Sequence, residues 1–369
     1  MKEKFCDLKE KIHNGERLNF QDGVRLMESF NLLEIGKLAD FARRKKCGDK
    51  VYYSKILYLS PTNICVTLCK FCAFYRKPGD PEGYVIPVEE AVKLASNPDI
   101  AEIHIVGGHH PTIKLDYFES LIKGIRAARP DLWIKAFTVV ELDHFSKVNK
   151  IPVEEVILKL KNAGLNSLPG GGAEIFSPRV RKIICPLKIS GKKWIEIMEI
   201  AHNYGLFSNA TMLYGHIETA EERVDHLLKI RELQDRTGKI LCFIPLGCQP
   251  ENHELKEAKG TTGFDDLKVH AISRLLLDNI PHIKALWTTM GIKTAQAALH
   301  FGADDLGGTF VNEQVMDEAG GKTRRGITTA ILKQIVLDAG RVPVETNSGY
   351  GQSGINGNDK GGKADPAEN

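Results

Sequence analysis

The chain has 369 residues, 42% of them apolar, which is enough to bury a large core in one catalytic domain. Its 50 basic and 47 acidic residues give a formal net charge of +3 and are spread along the chain, so nothing indicates a nucleic-acid partner. The N-terminus has no signal-like apolar region, and no apolar run is long enough to span a membrane. We therefore expect a cytoplasmic protein with reduced cysteines and a small-molecule substrate.

The predicted elements begin with helices and continue as an alternation of strands and helices. Apolar residues at helical spacing predict helices over residues 21–46. From residue 50 onward, strand-like runs alternate eight times with amphipathic stretches, a pattern typical of a parallel (β/α)8 barrel of the TIM type. The predicted strands are residues 55–60, 101–106, 133–138, 165–168, 207–212, 241–246, 284–287 and 303–306.

These elements divide the chain into four predicted parts. They are an N-terminal helical extension (1–49), a barrel domain (50–320), a C-terminal helix (321–345) and a tail (346–369). The tail is rich in Gly, Asn, Ser, Asp and Lys, so it cannot bury enough apolar surface to offset the entropy of ordering. We expect it to be flexible.

Three cysteines follow the first predicted barrel strand in a CxxxCxxC pattern: Cys65, Cys69 and Cys72. Three thiolates can hold three irons of a [4Fe–4S] cubane, whereas an electron-carrier cluster normally uses four. The fourth iron is then open, and the amino and carboxylate groups of S-adenosylmethionine suit it. A reduced cluster can donate an electron to the sulfonium, which releases methionine and a 5′-deoxyadenosyl radical.

Other interpretations of these cysteines are a zinc site, three unrelated thiols, or a non-enzymatic iron–sulfur sensor or electron carrier. Zinc would need a fourth ligand, and the ten residues after Cys72 include neither His nor Cys. A sensor would not cleave S-adenosylmethionine. Polar motifs after the other strands argue against it, because barrel active sites form where strands end.

Two of these polar motifs are rich in glycine. Gly107, Gly108 and His109 follow the second strand, where the glycines allow a close backbone approach to a ligand. A tight turn is the alternative explanation. Glu174 follows the fourth strand, directly after a run of three glycines and an alanine. Neither this run nor residues 316–323 has the glycine spacing of a nucleotide-phosphate loop.

The fifth strand leads to His216 and Glu218. His216 is a candidate for binding a substrate carboxylate or managing a proton, and the alternative is that it only packs. Glu218 is a candidate for the pocket rim, and the alternative is that it favours the dipole of the next helix. Together with His109, these residues are the catalytic candidates.

The cysteine loop resembles the signature of the radical S-adenosylmethionine superfamily. This resemblance implies that Phe71, the aromatic residue before the third cysteine, lies near the adenine. It also implies that Gly107 and Gly108 contact the methionine amino group, although His109 occupies a position that is often acidic.

The same resemblance suggests further contacts to S-adenosylmethionine. Glu174 resembles the acidic residue that binds ribose or methionine groups in related enzymes. A downstream cation usually meets the methionine carboxylate, and Arg179, Arg181 and Lys193 compete for this role. We take Arg181 as the candidate.

Longer segments are similar to the aminofutalosine synthase family of the futalosine route to menaquinone. They span roughly residues 50–320 and include IKAFTVVELDHF, LNSLPGGGAEIF and SNATMLYGHIE. The resemblance implies a radical transferase that adds the 5′-deoxyadenosyl radical to 3-[(1-carboxyvinyl)oxy]benzoate and loses the carboxyl carbon, giving 6-amino-6-deoxyfutalosine. S-adenosylmethionine is consumed, and an electron donor such as flavodoxin or ferredoxin is implied. Dehypoxanthine futalosine cyclase is the alternative, because Gln249 and Pro250 favour it.

Overall fold

The fold is built on two parallel β-sheets surrounded by helices. A computed structural model describes residues 5–249, 251–252, 254–258, 260–309 and 326–352. The strands are β1 Lys50–Ser54, β2 Ile56–Leu59, β3 Glu102–Ile105, β4 Trp133–Ala136, β5 Ser167–Leu168, β6 Phe207–Tyr214, β7 Ile240–Gly247, β8 His282–Ile283, β9 Asp305–Gly308 and β10 Val342–Thr346.

The helices of the described residues precede, connect and follow these strands. They are α1 Cys6–Asn14, α2 Phe20–Glu28, α3 Leu32–Cys47, α4 Val88–Ala95, α5 Leu115–Ala128, α6 Val139–Asn149, α7 Val153–Ala163, α8 Pro178–Ile184, α9 Gly191–Asn203, α10 Ala220–Thr237, α11 Gly263–Leu276, α12 Trp287–Met290, α13 Ile292–Ala298 and α14 Thr329–Asp338. None of them has the length and apolar character needed to cross a bilayer.

The larger sheet contains seven parallel strands in chain order, β2 to β8. The smaller sheet has the order β10-β1-β9 and is also parallel. A bridge between Lys284 and Asp305 links the residue after β8 to β9, and the Ile56 amide of β2 donates to the Thr309 hydroxyl, just after β9, at 3.3 Å. The smaller sheet therefore lies between the last and first strands of the larger one, and the barrel class predicted from the alternation is confirmed.

The strands are buried because helices cover the sheet. All residues of β4 are buried, as are seven of the eight residues of β6. Nearly continuous burial is typical of parallel strands that pack on both faces. A charged residue in such a strand, such as Lys135 in β4, must therefore be paired inside the protein.

The last two predicted strands differ from the observed ones. β8 is His282–Ile283 rather than 284–287, because Trp287 begins the short helix α12. β9 extends to Gly308 and belongs to the smaller sheet. Two strands that the sequence pattern did not indicate, β1 and β10, pair with each other in that sheet.

The C-terminal boundaries also need correction. Of the predicted helix over 321–345, the structure describes residues 326–345, where Thr329–Asp338 is a helix and Val342–Thr346 is a strand. Residues 347–352, here called the C-terminal segment, were assigned to the flexible tail but pack against the barrel. Ser348 is buried, and Tyr350 stacks on His282 with ring centroids 3.9 Å apart. The remainder of the predicted tail, residues 353–369, lies outside the described residues.

Candidate active site

The cysteine loop, residues 60–76, follows β2 and is held by its own backbone. The Cys65 amide donates to Arg76 O at 2.9 Å, and the Arg76 amide donates to Asn63 O at 2.8 Å. The Arg76 guanidinium donates to the carbonyls of Ala73 and Tyr75 at 3.1 and 3.2 Å. These bonds tie the two ends of the loop together around the three cysteines.

The three loop cysteines are free thiols, which suits them to bind a cluster. Burial raises the pKa of Cys69 to about 12 and also raises the pKa of Cys72. Both thiols would therefore need a bound metal to stabilise their thiolate forms. Among the described residues, no three His, Cys, Asp or Glu side chains converge as they would around one metal ion.

Gly107 and Gly108 bring the loop after β3 against the cysteine loop. The Gly108 amide donates to Thr62 O at 2.7 Å, and a Cβ on Gly108 would lie 2.3 Å from Ile64 O. The Gly107 amide donates to the Glu141 carboxylate at 3.1 Å. Both amides are thus occupied within the protein. The glycines are required here for contact between two loops.

His109 supports the cysteine loop from the same side. Its Nδ1 lies 2.6 Å from the Thr67 hydroxyl, and its ring stacks on His144 with centroids 5.1 Å apart. Burial, with the nearby charges of His144 and Lys188, places the pKa of His109 far below its usual value. A neutral ring bonded to the loop is a positioning group. This geometry does not support a catalytic role for His109.

Glu141 lies beneath Gly107 and is fully buried. Its carboxylate accepts from the Thr138 amide at 2.7 Å and the Thr138 hydroxyl at 2.8 Å, in the capping box of α6. Burial raises the pKa of Glu141 to about 7, although the bonds from Thr138 and Gly107 oppose the shift. The same carboxylate therefore caps a helix and holds the glycine loop.

Glu174 and Lys188 form a buried ion pair beside the cysteine loop. Lys188 Nζ lies 2.6 Å from Glu174 Oε1 and 5.1 Å from the ring centroid of Phe71. Burial lowers the pKa of Lys188, but the charges of Cys69 and Glu174 outweigh it and the net shift is upward. The structure therefore brings together two predicted cofactor residues and a cation that sequence reasoning missed.

Arg181 has a different role from the predicted one. Its five N–H groups donate to backbone carbonyls of Gly172, Ala173, Ile175 and Ile189, so none remains for a ligand carboxylate. Of the competing cations, Arg179 pairs with Glu222 on the surface, and Lys193 is exposed on α9. Arg181 therefore holds the loop that carries Glu174, and Lys188 replaces it as the candidate cation.

His216 and Glu218 stabilise the turn between β6 and α10. His216 Nε2 bonds Leu213 O at 3.0 Å, and its Nδ1 lies 2.8 Å from Glu218 Oε2. Burial would raise the pKa of Glu218, but His216, Arg223 and the Gly215 amide hold it at about 2. Both side chains are fully buried and satisfied within the turn. The structure therefore supports the packing alternative for His216 and an ionised Glu218 beside the helix start.

The interior of the barrel contains a cavity of about 220 Å³, here called the barrel cavity. Its polar lining includes residues that sequence reasoning did not select. One of them is Lys135, and a charged residue within an otherwise apolar strand is a sequence feature that could have indicated it. The lining residues used below are Tyr58, His104, Val106, Lys135, Thr138, Gly170, Gly171, Lys284 and Thr288.

The matches to known families agree with this geometry. Residues 59–230 match the Radical SAM superfamily, and residues 237–357 match the CofH/MqnC C-terminal region. The chain belongs to the radical SAM superfamily of enzymes, which use a [4Fe–4S] cluster and S-adenosylmethionine.

Within that superfamily, the chain is similar to futalosine-pathway enzymes. Aminodeoxyfutalosine synthase of Thermus thermophilus is 43% identical over 354 residues, which cover 94% of this chain and 95% of the relative. Cyclic dehypoxanthine futalosine synthase of Streptomyces coelicolor is 39% identical over 343 residues, which cover 91% and 86% of the two chains.

A solved structure has the same fold. Methylornithine synthase superposes with a TM-score of 0.71 at 16% identity, covering 91% of this chain and 97% of the other. At this identity, the likeness supports the barrel architecture alone.

Proposed function

We propose that this enzyme joins the 5′-deoxyadenosyl group of S-adenosylmethionine to 3-[(1-carboxyvinyl)oxy]benzoate and releases the carboxyl carbon, giving 6-amino-6-deoxyfutalosine. The observation that carries the proposal is a cation-lined cavity next to the three-cysteine loop. The cavity wall runs through Val106 into Gly107 and Gly108, which contact that loop. The two lysines that line the cavity suit a dianionic aromatic substrate in charge.

Cys65, Cys69 and Cys72 would hold the cluster, which when bound supplies the electron that cleaves S-adenosylmethionine. The loop bonds to Arg76 and His109 keep the three sulfurs in place. S-adenosylmethionine would bind beside these cysteines, so residues near them would meet its polar groups.

Lys188 and Glu174 are the charged pair suited to those groups. Lys188 would meet the methionine carboxylate, while Glu174 would accept from the amino group or the ribose hydroxyls. Phe71 lies under the Lys188 ammonium and offers an apolar surface for the adenine. Both charges are already buried and preorganised, so binding requires little rearrangement.

The barrel cavity would hold the aromatic ether and exclude water. By fixing the alkene towards the cysteine loop, the cavity would favour addition over hydrogen abstraction from another group. The physiological electron donor that we propose is a flavodoxin or ferredoxin.

The test is an anaerobic reaction of the reconstituted, dithionite-reduced enzyme with S-adenosylmethionine and the ether. We expect an adenosyl adduct by mass spectrometry, together with carbon dioxide. If only 5′-deoxyadenosine and methionine form, and cleavage increases with dehypoxanthine futalosine instead, the enzyme is the cyclase. Replacing dithionite by reduced flavodoxin or ferredoxin tests the donor, and no turnover with either would refute that part.

A further inference from the structure

Tyr58, His104 and Lys135 lie side by side on three neighbouring strands and line the barrel cavity. Strand register aligns Tyr58 of β2 with His104 of β3, and His104 with Lys135 of β4. Lys284 follows β8 and lines the same cavity. We call His104, Lys135 and Lys284 the cavity floor, because the two lysines pair with Glu102 and Asp305, the first residues of β3 and β9. The cavity also includes residues past the carboxyl ends of β3, β4 and β5, namely Val106, Thr138, Gly170 and Gly171. Those four residues form the mouth.

His104 is a buried polar group that lacks a partner. In the described part of the chain, neither of its ring nitrogens has a hydrogen bond, and both are shielded from solvent. The hydroxyl of Thr288, which also lines the cavity, is likewise unsatisfied among the described residues. Buried polar groups normally have partners, so two such groups facing one cavity indicate a polar ligand.

The two lysines differ in how many hydrogen-bond partners their ammonium groups have. Lys135 Nζ donates to Glu102 at 3.0 Å and to the Ser348 hydroxyl at 2.7 Å. Lys284 Nζ has a longer contact, 3.5 Å, to Asp305. An ammonium has three donors, so Lys284 keeps the larger capacity for a ligand.

The acidic partners of these lysines do not line the cavity. Glu102 accepts from the amide and the hydroxyl of Ser348, and Asp305 accepts from the Tyr350 hydroxyl. The C-terminal segment therefore holds the carboxylates behind the lysines. The side that faces the cavity presents two cations and neutral donors.

We propose that Lys284, Lys135 and His104 bind the ring carboxylate of the aromatic ether at the cavity floor. This assignment rests on the proposed function and deepens it. The cluster would be held by the cysteine loop, which follows β2 on the carboxyl side of the strands, so the alkene must face the mouth. The ring carboxylate then lies at the opposite end of the substrate, at the floor.

The test compares two ligands that differ by this carboxylate: the ether substrate and 2-phenoxyacrylate. Binding is measured by calorimetry on the anaerobic holoenzyme with S-adenosylmethionine and an unreduced cluster, so no chemistry occurs. We expect Lys284→Gln to weaken substrate binding by about tenfold or more, because a charge-assisted bond is lost. Its binding of 2-phenoxyacrylate should equal that of the wild type.

A second variant, His104→Leu, still tests the cavity floor if Lys284→Gln fails to fold. His104 has no hydrogen bond to lose among the described residues, so the unfolding temperature should stay the same or rise while substrate binding weakens. The matched control is Lys268→Gln, a buried lysine on α11 that donates to Met27 O at 2.7 Å outside the cavity. Its substrate binding should equal that of the wild type.

The outcomes separate this inference from the proposed function. If wild-type binding does not depend on the ring carboxylate, or if both floor variants bind the substrate normally, the floor assignment is wrong even when the adduct forms. If the wild type shows the expected carboxylate dependence and the floor variants weaken substrate binding, but no adduct forms after reduction, the floor assignment stands and the proposed reaction is wrong.

Discussion

Lys188 is the residue whose charge most directly connects the cysteine loop to a cofactor. Its ammonium lies between Glu174 and Phe71, and its side chain is 13% exposed. An ion pair in this position costs desolvation energy, and a ligand carboxylate would offset part of that cost.

We predict that Lys188→Met raises the KM for S-adenosylmethionine by about tenfold or more and destabilises the fold by about 3–5 kcal/mol, because Glu174 is left as an unpaired buried charge. Adding Glu174→Gln should restore most of the stability but not the KM. The control Lys193→Met changes an exposed lysine and should alter neither. Recovery of the KM in the double variant would contradict the cofactor role.

The three loop cysteines make a second prediction at this scale. Cys69→Ala should abolish both iron binding at the loop and 5′-deoxyadenosine formation, while circular dichroism shows a folded barrel. Cys6→Ser, an exposed thiol on α1, is the matched control and should retain both. Continued cleavage of S-adenosylmethionine by Cys69→Ala would show that the cluster is held elsewhere.

Sequence alone predicts single functional residues most specifically where the spacing of the residues defines the chemistry. The CxxxCxxC pattern predicts Cys65, Cys69 and Cys72 as the cluster ligands from the spacing within one short loop. Lys188 and Lys284 reach their partners only when segments that are distant in sequence pack together. No local sequence pattern therefore indicates their roles. For His216, the sequence allowed catalysis or packing, and only the turn contacts decided between them.

At the scale of elements, the loop after β3 determines how the cysteine loop sits. Gly108→Ala would place a Cβ 2.3 Å from Ile64 O, a backbone atom that cannot move without shifting the cysteine loop. We predict that this variant folds but loses most of its cluster and its radical chemistry, as measured by iron content and 5′-deoxyadenosine yield. Gly263→Ala has no neighbour closer than 3.7 Å and should behave as the wild type. A fully loaded Gly108→Ala enzyme would contradict this role.

The strands that sequence reasoning located well are those with a long apolar pattern of their own. β6 and β7 each have eight residues and were placed within two residues of their ends. β8 has two residues, too few for any periodicity. β1 and β10 depend on pairing with each other across almost the whole chain, which a local pattern cannot indicate.

For the whole molecule, buried histidines link stability to pH. Burial lowers the pKa of His202 and of His226 to about 3, far below the value of about 6.5 in an unfolded chain. The unfolded chain therefore binds more protons as the pH falls below 6.5. The stability that these neutral rings contribute is complete above that pH and is lost progressively towards pH 3.

We predict that each histidine makes the free energy of unfolding about 1.4 kcal/mol smaller at pH 5.5 than at pH 7.5. Urea unfolding at both pH values, for the wild type and for His226→Gln, measures this. The variant should lose less stability between the two values by about that amount, whatever its stability at pH 7.5. Equal losses in the two proteins would show that His226 does not titrate on unfolding.

The most direct test of the whole account follows the adenosyl group. The reduced enzyme is given the ether substrate and S-adenosylmethionine carrying a 13C-labelled adenosine. The account predicts that the label appears in one product that also contains the benzoate ring, in equal amount to the methionine released. Label found only in 5′-deoxyadenosine, with the ether recovered unchanged, would contradict it.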